Sequence, residues 1–147
     1  MTFDFSQTYL YKMHRLTTSL DTIFDQNLRK YADIGLSQFT LLLSVDQHQP
    51  VGQRTIATFL SISPGAISRQ VEIARKNGWI TIRNNADDRR GQSLQITPKG
   101  KQRIDDGIVA LEQHVFQIFD DENAQTNLMG HIDLLQSHID SIHFTNL

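Results

Sequence analysis

Cysteine is absent from the 147 residues. That removes disulfides, thiolate metal sites and thiol redox sensing, and it fits a reducing compartment such as the cytosol. No run of roughly 18 or more apolar residues occurs, so no membrane-spanning helix is expected. The opening MTFDFSQTYLYK has no basic stretch leading into an apolar core, so no signal peptide is expected either. Catalytic signatures are missing as well: there is no glycine-rich phosphate loop, no G-x-S-x-G and no H-E-x-x-H. Ser, His and Asp are plentiful, but their presence alone makes no triad. Neither an enzyme activity nor a cofactor is expected. His14, His48, His114, His131, His138 and His143 raise the question of a metal. Zinc held by a helix typically uses an i,i+4 pair with a third ligand nearby. His131 and His138 share a helical face but lie seven apart, so the histidines read as surface or interface residues and no metal is expected.

What is present is an ordinary globular composition, 39% hydrophobic and 20% charged, of a length that suggests one domain. The net charge of −2 hides a strong asymmetry. Residues 50–103 hold ten bases and three acids, a net of +7, while the rest of the chain carries −9. A basic middle between acidic ends is the pattern expected when one face meets a polyanion.

The chain reads mostly as helices. Tyr9, Met13, Leu16, Leu20, Phe24, Leu28 and Tyr31 recur at spacings of three and four, predicting a long amphipathic helix over about residues 5–31. Ser37 is the expected N-cap of a second helix that places Phe39, Leu42 and Leu43 on one side. HQPVG reads as a turn, and residues 53–60 as a short helix with Ile56, Ala57 and Leu60 inward. Two more long stripes close the chain, Ile104 to Ile118 and Leu128 to Ile142. Three long stripes around a compact centre offer more apolar surface than one small lobe covers. A second copy of the chain is the economical cover, so a C2 homodimer is expected.

The centre is the most specific part. Ser63-Pro64 is a cap followed by a proline suited to the first helical position, and Ile67, Val71 and Ala74 give the next helix its core spacing. Asn77-Gly78 stops that helix. WITI and SLQI have strand character, and the polar RNNADDRRGQ between them cannot enter a core. Thr97-Pro98 then repeats the cap-and-proline device. The order is a helix suited to a DNA major groove, followed by a basic two-stranded wing.

These segments resemble the MarR family of winged helix-turn-helix transcriptional regulators over nearly the whole chain. LSQFTLLLSV, IATFLSISPGAISRQV, NGWITI and DDRRGQSLQITPKG stand in the family's order. The wing signature D-x-R, strand, T-x-x-G is carried by Asp88, Arg90, Thr97 and Gly100. Gln70, Ile73 and Ala74 depart from the family's pattern on the recognition helix. The resemblance implies a mainly α fold with a small β-wing (α+β). It implies a single domain whose winged lobe spans residues 36–98, with residues 1–35 and 99–147 as dimerisation helices. It implies a cytoplasmic homodimeric repressor on a pseudo-palindromic double-stranded DNA operator, released by a small aromatic or phenolic effector, with no membrane partner. A winged-helix module that binds only other proteins is the alternative.

The expected DNA-binding residues follow. Ser63, Gly65, Ala66, Ser68, Arg69 and Gln70 lie off the core stripe in the N-terminal half of the recognition helix, the half that usually faces bases. Arg69 suits guanine and Gln70 suits adenine. In the wing, one of Arg89 and Arg90 would reach the minor groove and the other would pair with an acid, for which the resemblance favours Asp88. Arg54, Arg75, Lys76, Lys99 and Lys101 are phosphate candidates. An effector pocket is expected where Tyr11, His14 and Arg15 of the first helix approach Phe39.

Overall fold

The computed structural model describes residues 4–84, 92–114 and 121–145. The chain divides into two compact units, Met1–Val115 and Phe116–Leu147. In the first, a single 3₁₀ turn at Phe5–Gln7 leads into α1 (Tyr9–Ala32), capped by Thr8, whose hydroxyl accepts from the Tyr11 amide at 3.2 Å. Then come α2 (Leu36–His48), β1 (Val51–Gly52), α3 (Gln53–Phe59), α4 (Pro64–Lys76), β2 (Ile80–Asn84), β3 (Gln92–Ile96) and α5 (Pro98–His114). The second unit contains α6 (Glu122–Thr145).

Among the described residues the expected helices form, the Ile118 end of the Ile104 stripe lying outside them, with two differences. The segment read as a plain turn contributes Val51 and Gly52 to the sheet, paired antiparallel with Leu94 and Ser93. Two residues are too short a run for periodicity to register. The sheet order is therefore β1-β3-β2, with the β2–β3 hairpin in register from Ile80↔Ile96 to Asn84↔Gln92. Ser37 is not the N-cap of α2, because that helix starts two residues earlier, from Gly35, and has no local side-chain cap. Its first amide is met from elsewhere: the Asp25 carboxylate of α1 accepts from Leu36 N at 2.9 Å. A carboxylate there also favours the positive end of the helix dipole.

Leu28, Leu41, Leu42, Ile56, Ile67, Ile80, Leu94 and Ile104 form a core drawn from every long element of the first unit, each less than 2% exposed. Two glycines allow α5 to close on it. Any Cβ at Gly107 would collide with the Phe39 ring, and one at Gly100 would collide with the Trp79 carbonyl. Thr97, just ahead of α5, donates its hydroxyl to the carbonyls of Gly78 and Trp79 at 2.7 and 3.0 Å. The same oxygen accepts from Gly100 N at 3.0 Å. The T-x-x-G signature thus clasps the start of α5 to the chain just past α4. At the other end of α1, Arg103 Nη1 donates to the Ala32 carbonyl at 2.7 Å, and Tyr31 stacks on His114 with ring centroids 4.0 Å apart.

Candidate nucleic-acid interface

The helix-turn-helix is α3, a tight turn and α4. Leu60 and Ile62 are half-buried in the turn, and Ser61 between them takes a left-handed backbone (φ 52°). Ser63 caps α4 by accepting from Ala66 N at 3.2 Å, a device generally worth about 1 kcal/mol. Pro64 fills the first helical position, where the missing N–H costs nothing. Ile67, Val71 and Ala74 pin one face into the core at 1, 2 and 0% exposure. Ala74 is fully buried.

At about 100° per residue, the α4 positions farthest from that stripe are Gly65, Arg69 and Lys76, with Glu72 and Ile73 beside them. Gly65 and Arg69 are exposed, and a Cβ added at Gly65 would meet nothing within 4 Å. The helix therefore offers a bare stretch of backbone at its N-terminal end, next to a guanidinium. No described carboxylate is ion-paired with Arg69 or Arg54, so both charges stay available.

Ser68 and Gln70 occupy opposite flanks. Ser68, on the α3 side, is exposed, and its Oγ accepts from Gln53 Nε2 at 2.6 Å. Gln70 lies on the α2 side, where its carbonyl accepts from Gln38 Nε2 at 3.2 Å. The side-chain oxygens of Gln38 and Gln70 are both buried without a hydrogen-bond partner. Gln70 is thus turned from the outer face expected of an adenine reader. Its position, three residues past Ile67, rotates it toward α2 instead.

The basic candidates are not equivalent. Arg75 makes a two-pronged contact to Glu72, both distances 2.9 Å, and Lys76 lies 3.6 Å from the same carboxylate. Glu72 is held below the usual carboxylate range, chiefly by its hydrogen bond from Arg75. Lys101 is paired with Asp46 at 2.8 Å, which raises its pKa. Lys99 is exposed, its stem passing beside Gly78. Asp88, Arg89 and Arg90 lie outside the described residues. The strands that flank them in sequence, β2 and β3, are paired.

The structure does not gather the four residues expected to hold an effector. Tyr11 and Arg15 line an open hollow of about 450 Å³ with Lys12 and Leu16 of their own helix. His14 is exposed and not part of its lining. Phe39 is 4% exposed and packs toward Gly107, because it is a core residue of α2. A different hollow, about 510 Å³, lies between Arg29, Gly35 and Gln38 on one side and Ala66, Arg69 and Gln70 on the other. Among the described residues, no cluster of His, Asp and Glu is spaced to hold a metal ion, and no helix is long and apolar enough to cross a membrane.

Comparison with known proteins agrees with this geometry. An uncharacterised HTH-type transcriptional regulator of Bacillus cereus is 26% identical over 112 residues, covering 75% of this chain and 72% of the relative. The Staphylococcus aureus MepR–DNA complex superposes with a TM-score of 0.78 at 19% identity, over 88% of this chain and 97% of that one. CouR from Rhodococcus jostii RHA1, bound to p-coumaroyl-CoA, gives 0.76 at 19% identity, over 92% and 94% of the two chains. Residues 34–91, from the end of α1 through the wing, match the sequence model of the MarR family. That segment, and the winged helix-turn-helix fold around it, make the chain similar to the MarR family.

Proposed function

We propose that this protein is a sequence-specific DNA-binding transcriptional regulator. It acts as a homodimeric repressor in the cytoplasm, holding a pseudo-palindromic operator with helix 64–76 and wing 83–92 of each protomer. The observation that carries the reading is the outer face of α4, where Gly65 leaves bare backbone beside an unpaired Arg69. Behind that face stand the +7 balance of residues 50–103 and the family match.

In this reading residues 36–98 are the DNA-binding lobe, and residues 1–35 and 99–147 are the dimerisation helices. Ser63, Gly65, Ala66, Ser68 and Arg69 approach the major groove. Arg54, Lys99, Arg75 and Lys76 approach phosphates, the last two after exchanging Glu72 for the backbone. One of Arg89 and Arg90 enters the minor groove, braced by the other's pairing with Asp88. The second copy is supported within each unit separately. Tyr9, Leu10, Met13 and Leu16 of α1 are 80, 60, 47 and 52% exposed. Leu128, Ile132, Leu135 and Ile139 make a stripe along α6 that is 41–48% exposed. A small aromatic or phenolic effector would release DNA by binding one spacing of the two lobes better than another, since only differential affinity shifts such an equilibrium.

The test is a salt titration on promoter DNA from the protein's own locus. With about 6–10 phosphates neutralised per dimer, affinity should fall by roughly 10³–10⁵ between 50 and 200 mM salt. A flat titration would favour a module that binds only proteins, and full affinity retained by an Arg89→Ala/Arg90→Ala variant would remove the wing arginines from the DNA interface.

A further inference from the structure

We infer that Gln53, the first residue of α3, reads an adenine in the operator, and that Ser68 of α4 is the positioning residue that holds its amide for the task. The inference rests on the DNA-binding reading above and adds to it a residue that neither the periodicity nor the charge pattern marks.

Gln53 Nε2 donates to Ser68 Oγ at 2.6 Å, across the helix-turn-helix and fifteen positions along the chain. Ser68 is exposed and Gln53 is partly so. A hydrogen bond open to water contributes little to stability, because water replaces either partner. Its consequence is orientation: it selects one pose of a side chain with three rotatable bonds. A glutamine amide has two N–H donors and one carbonyl acceptor. Ser68 takes one donor, and among the described residues Oε1 and the other N–H have no protein partner. When the donated hydrogen is the one pointing away from Oε1, the remaining N–H and Oε1 lie side by side on one edge of the planar group. That donor–acceptor pair matches N7 and N6 of adenine in the major groove.

The surroundings favour a base over a phosphate. Gly65 and Ser68 are i,i+3 neighbours on the surface of α4. The absent side chain at Gly65 leaves open space beside the Ser68–Gln53 pair, where a base edge can approach the helix closely. The other amide of this motif, Gln70, has its oxygen buried against α2. Gln53 is thus the amide that remains presented beside the outer face.

The experiment selects binding sites for the full-length protein from a randomised duplex DNA pool. Wild type, Q53A, Q53E, S68A and the Q53A/S68A double variant are then titrated on the selected site and its single-base variants. Thermal melts report folding for each. The wild type should select an A·T pair whose replacement weakens binding about tenfold or more. Q53A should bind all four bases at that position alike, with an unchanged salt slope. Q53E keeps the acceptor and loses the donor, and should shift the preference there toward cytosine. S68A should blunt the preference, and the double variant should be no worse than Q53A, the non-additivity of residues acting as one unit. The inference is overturned if Q53A keeps the wild-type preference or weakens every sequence equally, as a merely structural or phosphate-bound residue would. A wild-type protein that selects no sequence and shows no salt dependence overturns the DNA-binding reading with it.

Discussion

Single atoms decide several properties of this lobe. A methyl group at Gly100 has no room against the Trp79 carbonyl, which belongs to backbone and cannot rotate aside. Gly100→Ala should cost about 1–3 kcal/mol, the usual range for forcing extra atoms into a packed site, read from urea denaturation. Gly65→Ala should do the opposite. The site is open, so the better helix former should leave stability unchanged or raise it by up to about 1 kcal/mol. Operator affinity should nevertheless fall, because the new methyl stands where DNA approaches; a loss of both together would place Gly65 in the fold rather than the interface. Asp25 carries a pH dependence. Its pKa is lowered by the hydrogen bond from Arg29 first and by the Leu36 amide second. A carboxylate with a lowered folded pKa contributes stability that is complete above its unfolded value, roughly pH 4, and is lost as pH falls through the lower folded value. Asp25→Asn should therefore flatten the acid limb of a stability-versus-pH curve, and an unchanged limb would assign that limb to other carboxylates such as Glu72.

The elements differ in how far the sequence announced them. The α4 helix was legible in full, because Ser63, Pro64 and Gly78 are local signals and Ile67, Val71 and Ala74 repeat at helical spacing. The start of α2 was not, since its cap comes from Asp25, eleven residues back on another helix. Nor was β1, which exists through its pairing with Leu94 and Ser93 rather than through any preference of Val51-Gly52. The candidate site divides the same way. Exposed positions such as Gly65 and Arg69 followed from the core stripe alone. The flanks did not, because whether Ser68 and Gln70 face DNA depends on which neighbouring helix each one meets. Phe39 shows the same effect: aromaticity suggested a pocket, and the glycine at position 107 made it core.

At the scale of the whole molecule, the apolar rows that neither unit buries by itself are what a second copy would cover. Tyr9 to Leu16 of α1 and Leu128 to Ile139 of α6 each present a row of large side chains that its own unit does not bury. Ile132→Glu combined with Leu135→Glu should move the sedimentation equilibrium toward monomer, and operator affinity should fall with it, since two half-sites are then no longer held by one particle. A double variant that remains dimeric would remove α6 from the interface.

The borrowed cap of α2 also sets an order of events. A helix whose first turn is stabilised by its own sequence can form early, but α2 cannot complete its N-terminus until α1 has formed and brought Asp25 alongside. Within α4, by contrast, Ser63 supplies the cap from the adjoining residue. In a refolding experiment followed by pulsed hydrogen exchange, the Ala66 amide should gain protection before the Leu36 amide. Opening at the α1–α2 junction would then be the earliest local unfolding of the lobe, releasing α2 from α1 while the helix-turn-helix stays intact.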